Sequence, residues 1–315
     1  MIATVTMNPC LDKTITVHGL KVDETNRWTS VRGDPGGKGI GVSRAIHEMG
    51  GETIIYGFIG GNDGRMVEIL LDKEGVPCDF TPIEGDTRTN FIITDTKSHQ
   101  QTRLGAPGPP ISEDELKRLS RKLNRTNNPL PAFVVFAGSI PPGVPAGIYR
   151  QWIEDAKAKG VRTALDADGK WLKEGIKAIP YLIKPNIHEA EELLGTELPT
   201  ERSIVEAAHE LLERGIEVVV ISRGKEGFIA ADKEETLKVI SPKVKVESSV
   251  GAGDCTVAGV VMELARGESL VDACRLGAAM GAAAVMTPAT ELCRRSDVEK
   301  LLPRINIAKI NSGAA

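Results

Sequence analysis

Asp254 stands in the run Ser249-Val250-Gly251-Ala252-Gly253-Asp254-Cys255, which opens an apolar, helix-like stretch continuing through Val260, Val261, Met262, Leu264 and Ala265. A Gly-x-Gly turn feeding a helix presents unpaired backbone N–H groups at the positive end of the helix dipole. That geometry holds phosphate or another anion without a cationic side chain. A carboxylate in the first turn would repel such an anion unless it had a task there. The fitting task is to accept the proton of a hydroxyl that attacks a phosphoryl group held by the same loop. A capped helix start with glycines in its turn is the competing reading, and these residues alone do not choose between the two.

A second glycine-rich element, Gly36-Gly37-Lys38-Gly39-Ile40-Gly41, leads into Val42-Ser43-Arg44-Ala45-Ile46. It lacks the spacing and the hydroxyl residue of a Walker A loop. No segment carries the dinucleotide fingerprint with its acidic residue about twenty positions on. Glycines at a helix mouth cost roughly 0.5–1 kcal/mol each where they are helical, so something is expected to approach this backbone closely; a flexible helix entrance is the alternative.

The totals exclude several classes. The chain has 315 residues, enough for a large core, and a net charge of −4 that offers no general attraction to nucleic acid. A phosphate-bearing substrate must then be held by a local cluster. Cys10, Cys78, Cys255, Cys274 and Cys293 are odd in number and widely spaced, without a C-x-x-C pair, which argues against a disulfide framework or a thiolate metal site. The start, Ile2-Ala3-Thr4-Val5-Thr6, carries no basic-then-apolar leader, and the stretch Gly277 to Met286 is too short to span a bilayer. A cytoplasmic protein without membrane or nucleic-acid partners is expected.

Short β-rich runs alternate with helical patterns, as βαβ units require. Strands are expected at Ile2–Thr6, Thr53–Phe58, Phe133–Ala137, Thr163–Asp166, Tyr181–Lys184 and Val218–Ser222, several of them apolar on both faces like strands of a covered parallel sheet. Helices are expected at Gly41–Met49, Gly64–Glu74, Glu113–Asn124, Ile148–Lys159, Ile187–Leu194, Ile204–Glu213, Val257–Ala265 and Leu270–Met286. Thr14–Arg32 and Asp86–Leu104 break the rhythm with polar, alternating patterns that read as antiparallel strands of a small separate sheet, a lid over the site. The expected organisation is an α/β core of residues 1–13, 33–85 and 105–315 with a β lid of 14–32 and 86–104. There is no internal repeat and no low-complexity tract.

Taken in order, these motifs resemble the ribokinase-like sugar kinases of the PfkB family over nearly the whole chain. Gly36-Gly37-Lys38-Gly39 looks like the first family signature, Val250-Gly251-Ala252-Gly253-Asp254 like the second, and Lys184-Pro185-Asn186-Ile187-His188-Glu189 is similar to the Asn-x-x-Glu motif between them. Asn8-Pro9-Cys10-Leu11-Asp12, Thr87-Arg88-Thr89-Asn90, Gly138-Ser139-Ile140-Pro141-Pro142-Gly143 and the ending Thr290-Glu291-Leu292-Cys293 resemble the branch that acts on phosphosugars. The resemblance implies a three-layer α/β/α sandwich with a mainly parallel sheet and a small β lid. It also implies ATP and Mg²⁺ as cofactors and a homodimer paired through the lids. The activity it implies first is that of a 6-phosphofructokinase, converting fructose 6-phosphate to fructose 1,6-bisphosphate. Acting on fructose 1-phosphate or tagatose 6-phosphate instead is the alternative. A catalytically silent sugar-phosphate sensor is the reading from another class, and it has no need of Asp254. A nicotinamide-dependent dehydrogenase ranks third, for want of the fingerprint.

By resemblance, Asp254 is the base, and the amides of Gly251, Ala252, Gly253 and Asp254 face the transferring phosphoryl oxygens. Glu189 and Asn186, three apart on one helix face, organise Mg²⁺ through its waters; a helix cap is the competing reading. Lys184, Asn186, Ser222, Gly224 and Gly227 flank ATP, and the Ala- and Gly-rich helix near Leu270 either lies by the adenine or packs tightly on another helix. On the sugar side, Asp12 is placed at the end of the first strand to accept sugar hydroxyls, with Gly37, Lys38, Gly41, Asn90 and Ser139 beside it. Arg88 is assigned to the substrate's phosphate, with Arg27 and Arg103 from lid strands in support or merely solvated. Gly41 is a departure, since many relatives carry Asn there and lay its amide on the sugar. Cys255, where a hydroxyl residue is common, reads as a buried neutral thiol. A monovalent cation near Ser249 and Ala289 completes the expectations.

Overall fold

This computed structural model describes residues 1–98, 100–125 and 129–310. Residues 99, 126–128 and 311–315 fall within the expected lid and core segments and lie outside the described residues. Along the chain, β1 (Ile2–Thr6), β2 (Cys10–Val17) and β3 (Ser30–Gly36) lead into α1 (Lys38–Glu48), β4 (Thr53–Ile59), α2 (Gly61–Glu74) and β5 (Cys78–Pro82). Then come β6 (Arg88–Asp95), β7 (Gln100–Leu104), α3 (Glu113–Arg125), β8 (Phe133–Ala137), α4 (Ile148–Ala158), β9 (Arg162–Asp166) and α5 (Gly169–Gly175). β10 (Leu182–Ile183), α6 (Ile187–Leu194), α7 (Glu201–Glu213), β11 (Val218–Ser222), β12 (Phe228–Ala231) and β13 (Thr236–Ile240) follow. The chain closes with α8 (Ala252–Arg266), α9 (Leu270–Ala284), α10 (Arg295–Leu301) and β14 (Asn306–Ile310).

The larger sheet has ten strands in the order β14-β13-β12-β11-β10-β9-β8-β1-β4-β5. It is parallel from β11 through β5 and antiparallel at β12, β13 and β14. Alternation along each buried strand feeds two cores, one on each face. Val135, Ala137, Val218 and Val220 pack with α1, α8 and α9, while Phe136, Val219 and Ile221 pack with α4 and α7. These are the helical layers of an α/β/α sandwich. From β1 the chain builds β4 and β5 to one side and later β8 through β11 to the other, so the order reverses at β1 and β8. Open α/β sheets bind ligands outside the carboxyl ends of their strands at such a reversal.

The parallel strands lie where apolar periodicity places them, but several helices begin earlier than it indicates. α1 starts at Lys38 rather than Gly41, α2 at Gly61 rather than Gly64, α7 at Glu201 rather than Ile204 and α8 at Ala252 rather than Val257. A first turn needs caps and not an apolar face. Thr200, for instance, starts α7 by accepting the Ser203 N–H while Ser203 answers the Thr200 N–H. β5, α5, the antiparallel edge β12, β13 and β14, and α10 are additions to the expected elements. They are short, and the edge strands do not alternate with helices, so the βα rhythm does not mark them.

The smaller sheet runs β3-β2-β6-β7. Its strands cross the expected lid boundaries, since β2 begins at Cys10 and β3 continues to Gly36. Its central pair, β2 and β6, is parallel rather than antiparallel. Two hairpins, β2 with β3 and β6 with β7, leave the larger sheet in the same direction and lie side by side, so their first strands must pair parallel. Asp12 therefore lies in β2 of this smaller sheet and not at the end of the first strand. Among the described residues no helix is long and apolar enough to cross a membrane.

Candidate active site

The carboxyl ends of the parallel strands deliver one polar residue after another to the same cleft. Asn8 follows β1, Ser139 follows β8, Asp166 ends β9, Lys184 follows β10 and Ser222 ends β11. Above them, α8 starts at Gly251, whose φ of 79° is the left-handed conformation that Gly adopts without strain. Asp254 sits in the first turn, in the company of Asp166, Lys38, Lys184 and Asp12. Among the described residues no hydrogen bond reaches its carboxylate. Burial, then the charge of Asp166, pushes its pKa up to about 7 against the pull of Lys38 and Lys184.

Asp166 anchors this cluster. It is 2 % exposed, accepts a hydrogen bond from Lys38 Nζ at 3.0 Å, and has Lys184 Nζ 3.5 Å from its other oxygen. Burial disfavours its charge, but Lys184 and Lys38 outweigh burial and hold it below the usual carboxylate range. Lys38 is held strongly protonated by Asp166, Glu189 and Asp254 in spite of burial. Asp166 was absent from the sequence-based site. A carboxylate closing an apolar strand was the available signal, because a buried charge is tolerated only with partners.

Asp12 accepts from Asn90 Nδ2 at 2.9 Å and from the Cys10 thiol at 3.2 Å, while Asn90 Oδ1 accepts from the Ala106 N–H at 3.1 Å. Burial raises the pKa of Asp12 despite these bonds. Gly36 and Gly37 pass so close to Asp12 and Thr6 that a Cβ at either would collide. Gly41 has a similar reason in α1: a Cβ there would run into the Asp254 carboxylate, with its Cγ at 3.0 Å. Gly41 thus leaves room for the Asp254 carboxylate.

Other expected site residues have structural duties. Asn186 and Glu189 form a capping box at the start of α6, where Asn186 Oδ1 accepts the Glu189 N–H at 2.9 Å and Glu189 Oε2 accepts the Asn186 N–H at 2.8 Å. They also line an open groove with Asp168 and Glu192. Ser222 donates its N–H to Pro185 O, which ties β11 to the start of α6. Gly224 takes a φ of 57° in the turn after β11. Gly227 is required by its neighbours, since a Cβ there would strike Val239 O in the adjacent strand. The glycines of α9 belong to tight helix packing, with a Cβ at Gly277 lying 2.9 Å from Thr256 O in α8. Cys255 is buried beside Cys293, and burial pushes its thiol well above the usual range, as for a neutral thiol.

Two of the three arginines are engaged. Arg88 donates to Ala106 O at 2.6 Å and Asn8 O at 3.0 Å, and Arg103 of β7 donates to Ser249 Oγ at 3.0 Å. Arg27 lies exposed in the connection between β2 and β3, not in a strand.

The model of the pfkB family of carbohydrate kinases matches residues 5–297. An ATP-dependent 6-phosphofructokinase isozyme 2 of Mycobacterium tuberculosis is 38 % identical over 300 residues, covering 95 % of this chain and 88 % of that protein. A 1-phosphofructokinase of Bacillus subtilis is 33 % identical over 310 residues, covering 98 % of this chain and 100 % of that one. Phosphofructokinase-2 of Escherichia coli superposes with a TM-score of 0.92 in its complex with substrates and products, at 32 % identity, covering 96 % of this chain and 98 % of that one. In its complex with potassium the TM-score is 0.91 at the same identity and coverage.

Proposed function

The chain belongs to the pfkB family of carbohydrate kinases and is a phosphotransferase with an alcohol acceptor; from that premise we propose that it phosphorylates fructose 6-phosphate with ATP. The observation that carries the reading is Asp254, a carboxylate free of hydrogen bonds, half ionised near neutral pH, in the first turn behind Gly251. A base is most effective when its pKa lies near the working pH.

Asp254 takes the proton of the acceptor hydroxyl as that oxygen attacks the γ-phosphorus of ATP, and the bond to the bridging oxygen breaks with ADP as the leaving group. The amides of Gly251, Ala252, Gly253 and Asp254 receive the charge on the transferring oxygens, and removal of one such donor typically costs about 3–4 kcal/mol. Lys184, whose Nζ lies beside Gly253, and Lys38 supply positive charge there, with Asp166 holding both ammonium groups in place. Asp12, fixed by Asn90, accepts from the sugar hydroxyls, and Ser139 binds beside Asn8.

Oxygen donors suit Mg²⁺, and Glu189 and Asn186 present them beside an open groove of about 470 Å³. Mg²⁺ keeps much of its water and leans on nucleotide phosphates, so two oxygen donors suffice for it. Bound there, Mg²⁺ neutralises phosphate charge. The potassium complex of the Escherichia coli relative supports a monovalent cation as a cofactor, and we propose its place near Ser249 and Ala289, where Ala289 takes a φ of 56°. Exposed Val31 and Leu104 on the smaller sheet, with exposed Trp28 in the connection between β2 and β3, support pairing of that sheet between two copies.

Transfer to fructose 1-phosphate is the second reading, favoured by the full-length match to 1-phosphofructokinases. ADP release would be measured with fructose 6-phosphate, fructose 1-phosphate, tagatose 6-phosphate, fructose and ribose. Preference for fructose 6-phosphate by an order of magnitude in kcat/KM is expected, and preference for an unphosphorylated sugar would overturn the reading.

A further inference from the structure

We propose that Lys170, and not Arg88 alone, binds the phosphate carried by the acceptor sugar. This inference rests on the phosphosugar reading above. A groove of about 480 Å³ opens beside the cleft, lined by Asn8, Arg88, Ser139, Lys170 and Trp171 among others. Arg88 is the expected anchor, yet two of its five N–H groups clamp the carbonyls of Ala106 and Asn8, and its Nε–H is buried without a partner. Its first duty is to join the exit of β1 to the segment after β7. A guanidinium so committed offers part of its donor set to a ligand and leaves a doubly charged phosphate incompletely matched.

Lys170 supplies what is missing. It is exposed at the start of α5, its Nζ lies 5.6 Å from the centre of the Trp171 ring, and among the described residues no carboxylate pairs with it. Its lack of a pair is notable, because Lys170 and Trp171 also border the neighbouring groove of Asp168, Glu189 and Glu192. The two residues form the wall between an acidic groove and one lined by cations. A phosphate monoester beside Ser139 would take the Ser139 O–H, the remaining Arg88 donors and the Lys170 ammonium, with the Trp171 face steadying the lysine stem.

The test is steady-state kinetics of the full chain and of Lys170→Ala and Lys170→Arg, with fructose 6-phosphate and with fructose, at low and high salt. Lys170→Ala is expected to raise KM for fructose 6-phosphate about tenfold or more, the worth of one hydrogen bond to a charged group. KM for ATP and for fructose should stay within about twofold, and Lys170→Arg should recover most of the loss. The increase in KM that salt causes in the wild type should shrink in Lys170→Ala. An unchanged KM for fructose 6-phosphate, or an equal rise for fructose, overturns the proposal. The wild type reports separately on the premise: if it shows no preference for the phosphorylated sugar, the phosphosugar reading falls and the proposal falls with it. Inorganic phosphate should inhibit the wild type competitively against fructose 6-phosphate and Lys170→Ala more weakly; equal inhibition of both counts against the assignment.

Discussion

Two corners of the cleft, both built from polar side chains at the ends of parallel strands, are held together by opposite means. At Asn186 and Glu189 the side chains close on backbone N–H groups, and the capping box accounts for their positions. Around Asp254 four charged neighbours crowd a carboxylate that accepts no hydrogen bond among the described residues, and the two lysines on Asp166 offset part of the cost. The closed corner would fold in the same way with or without chemistry. The open one is costly for stability, and a carboxylate kept from partners is one ready to take a proton.

Asp254→Asn breaks the contrast most severely. Its kcat/KM is expected to fall by about 10²–10⁴. In the wild type, activity should rise with pH through about 7, because the base acts when ionised, and the variant should lose that limb. Stability should move the other way. The folded pKa is raised, so the native chain binds the extra proton between the unfolded carboxylate range and pH 7, and its stability falls as pH rises through that window. Asp254→Asn should therefore melt higher than wild type at pH 8, by about 1–3 kcal/mol in unfolding free energy, with the gain vanishing below pH 4. A variant that is inactive and no more stable would remove the picture of a strained base.

Asp166→Asn sharpens the comparison from the other side by taking from buried Lys184 and half-buried Lys38 the carboxylate they share. A loss of about 3–5 kcal/mol in denaturant unfolding is expected, together with a fall in kcat. Gly41→Ala asks whether the seat of Asp254 matters. The added Cβ should displace the carboxylate, lower kcat about tenfold or more and move the acid limb to lower pH as the carboxylate gains solvent. An unchanged profile would show that the seat is idle. Glu189→Ala has the smallest expected cost to stability, about 1 kcal/mol from the capping box. A rise in the Mg²⁺ needed for half-maximal rate would show that the closed corner serves chemistry too, and an unchanged requirement would leave it a cap.

Much of this molecule was legible in one dimension. Helix α6 was readable from Asn186 to Leu194, because its cap and apolar spacing lie within a few residues. The glycine turn before α8 and its carboxylate were readable for the same reason. Position 41 was visible as a departure, but its meaning was not, since the atom it makes room for belongs to Asp254. Arg88 was singled out for the substrate's phosphate, and its bonds to Asn8 and Ala106 appear only once the smaller sheet is assembled. The edge strands β12, β13 and β14 were missed because antiparallel pairing depends on partners and not on a local period.

By itself, the sequence determined the alternation of strands and helices, the start of α6 at Asn186, and the carboxylate proposed as the base. Caps, turns and apolar periods act over a few residues and need no other part of the chain. Only the tertiary structure decided how proton-hungry that base is, which lysines face it and which cation is left free for a phosphate. Lys38 and Asp166 are 128 residues apart, and burial and charge depend on distance in space rather than position along the chain.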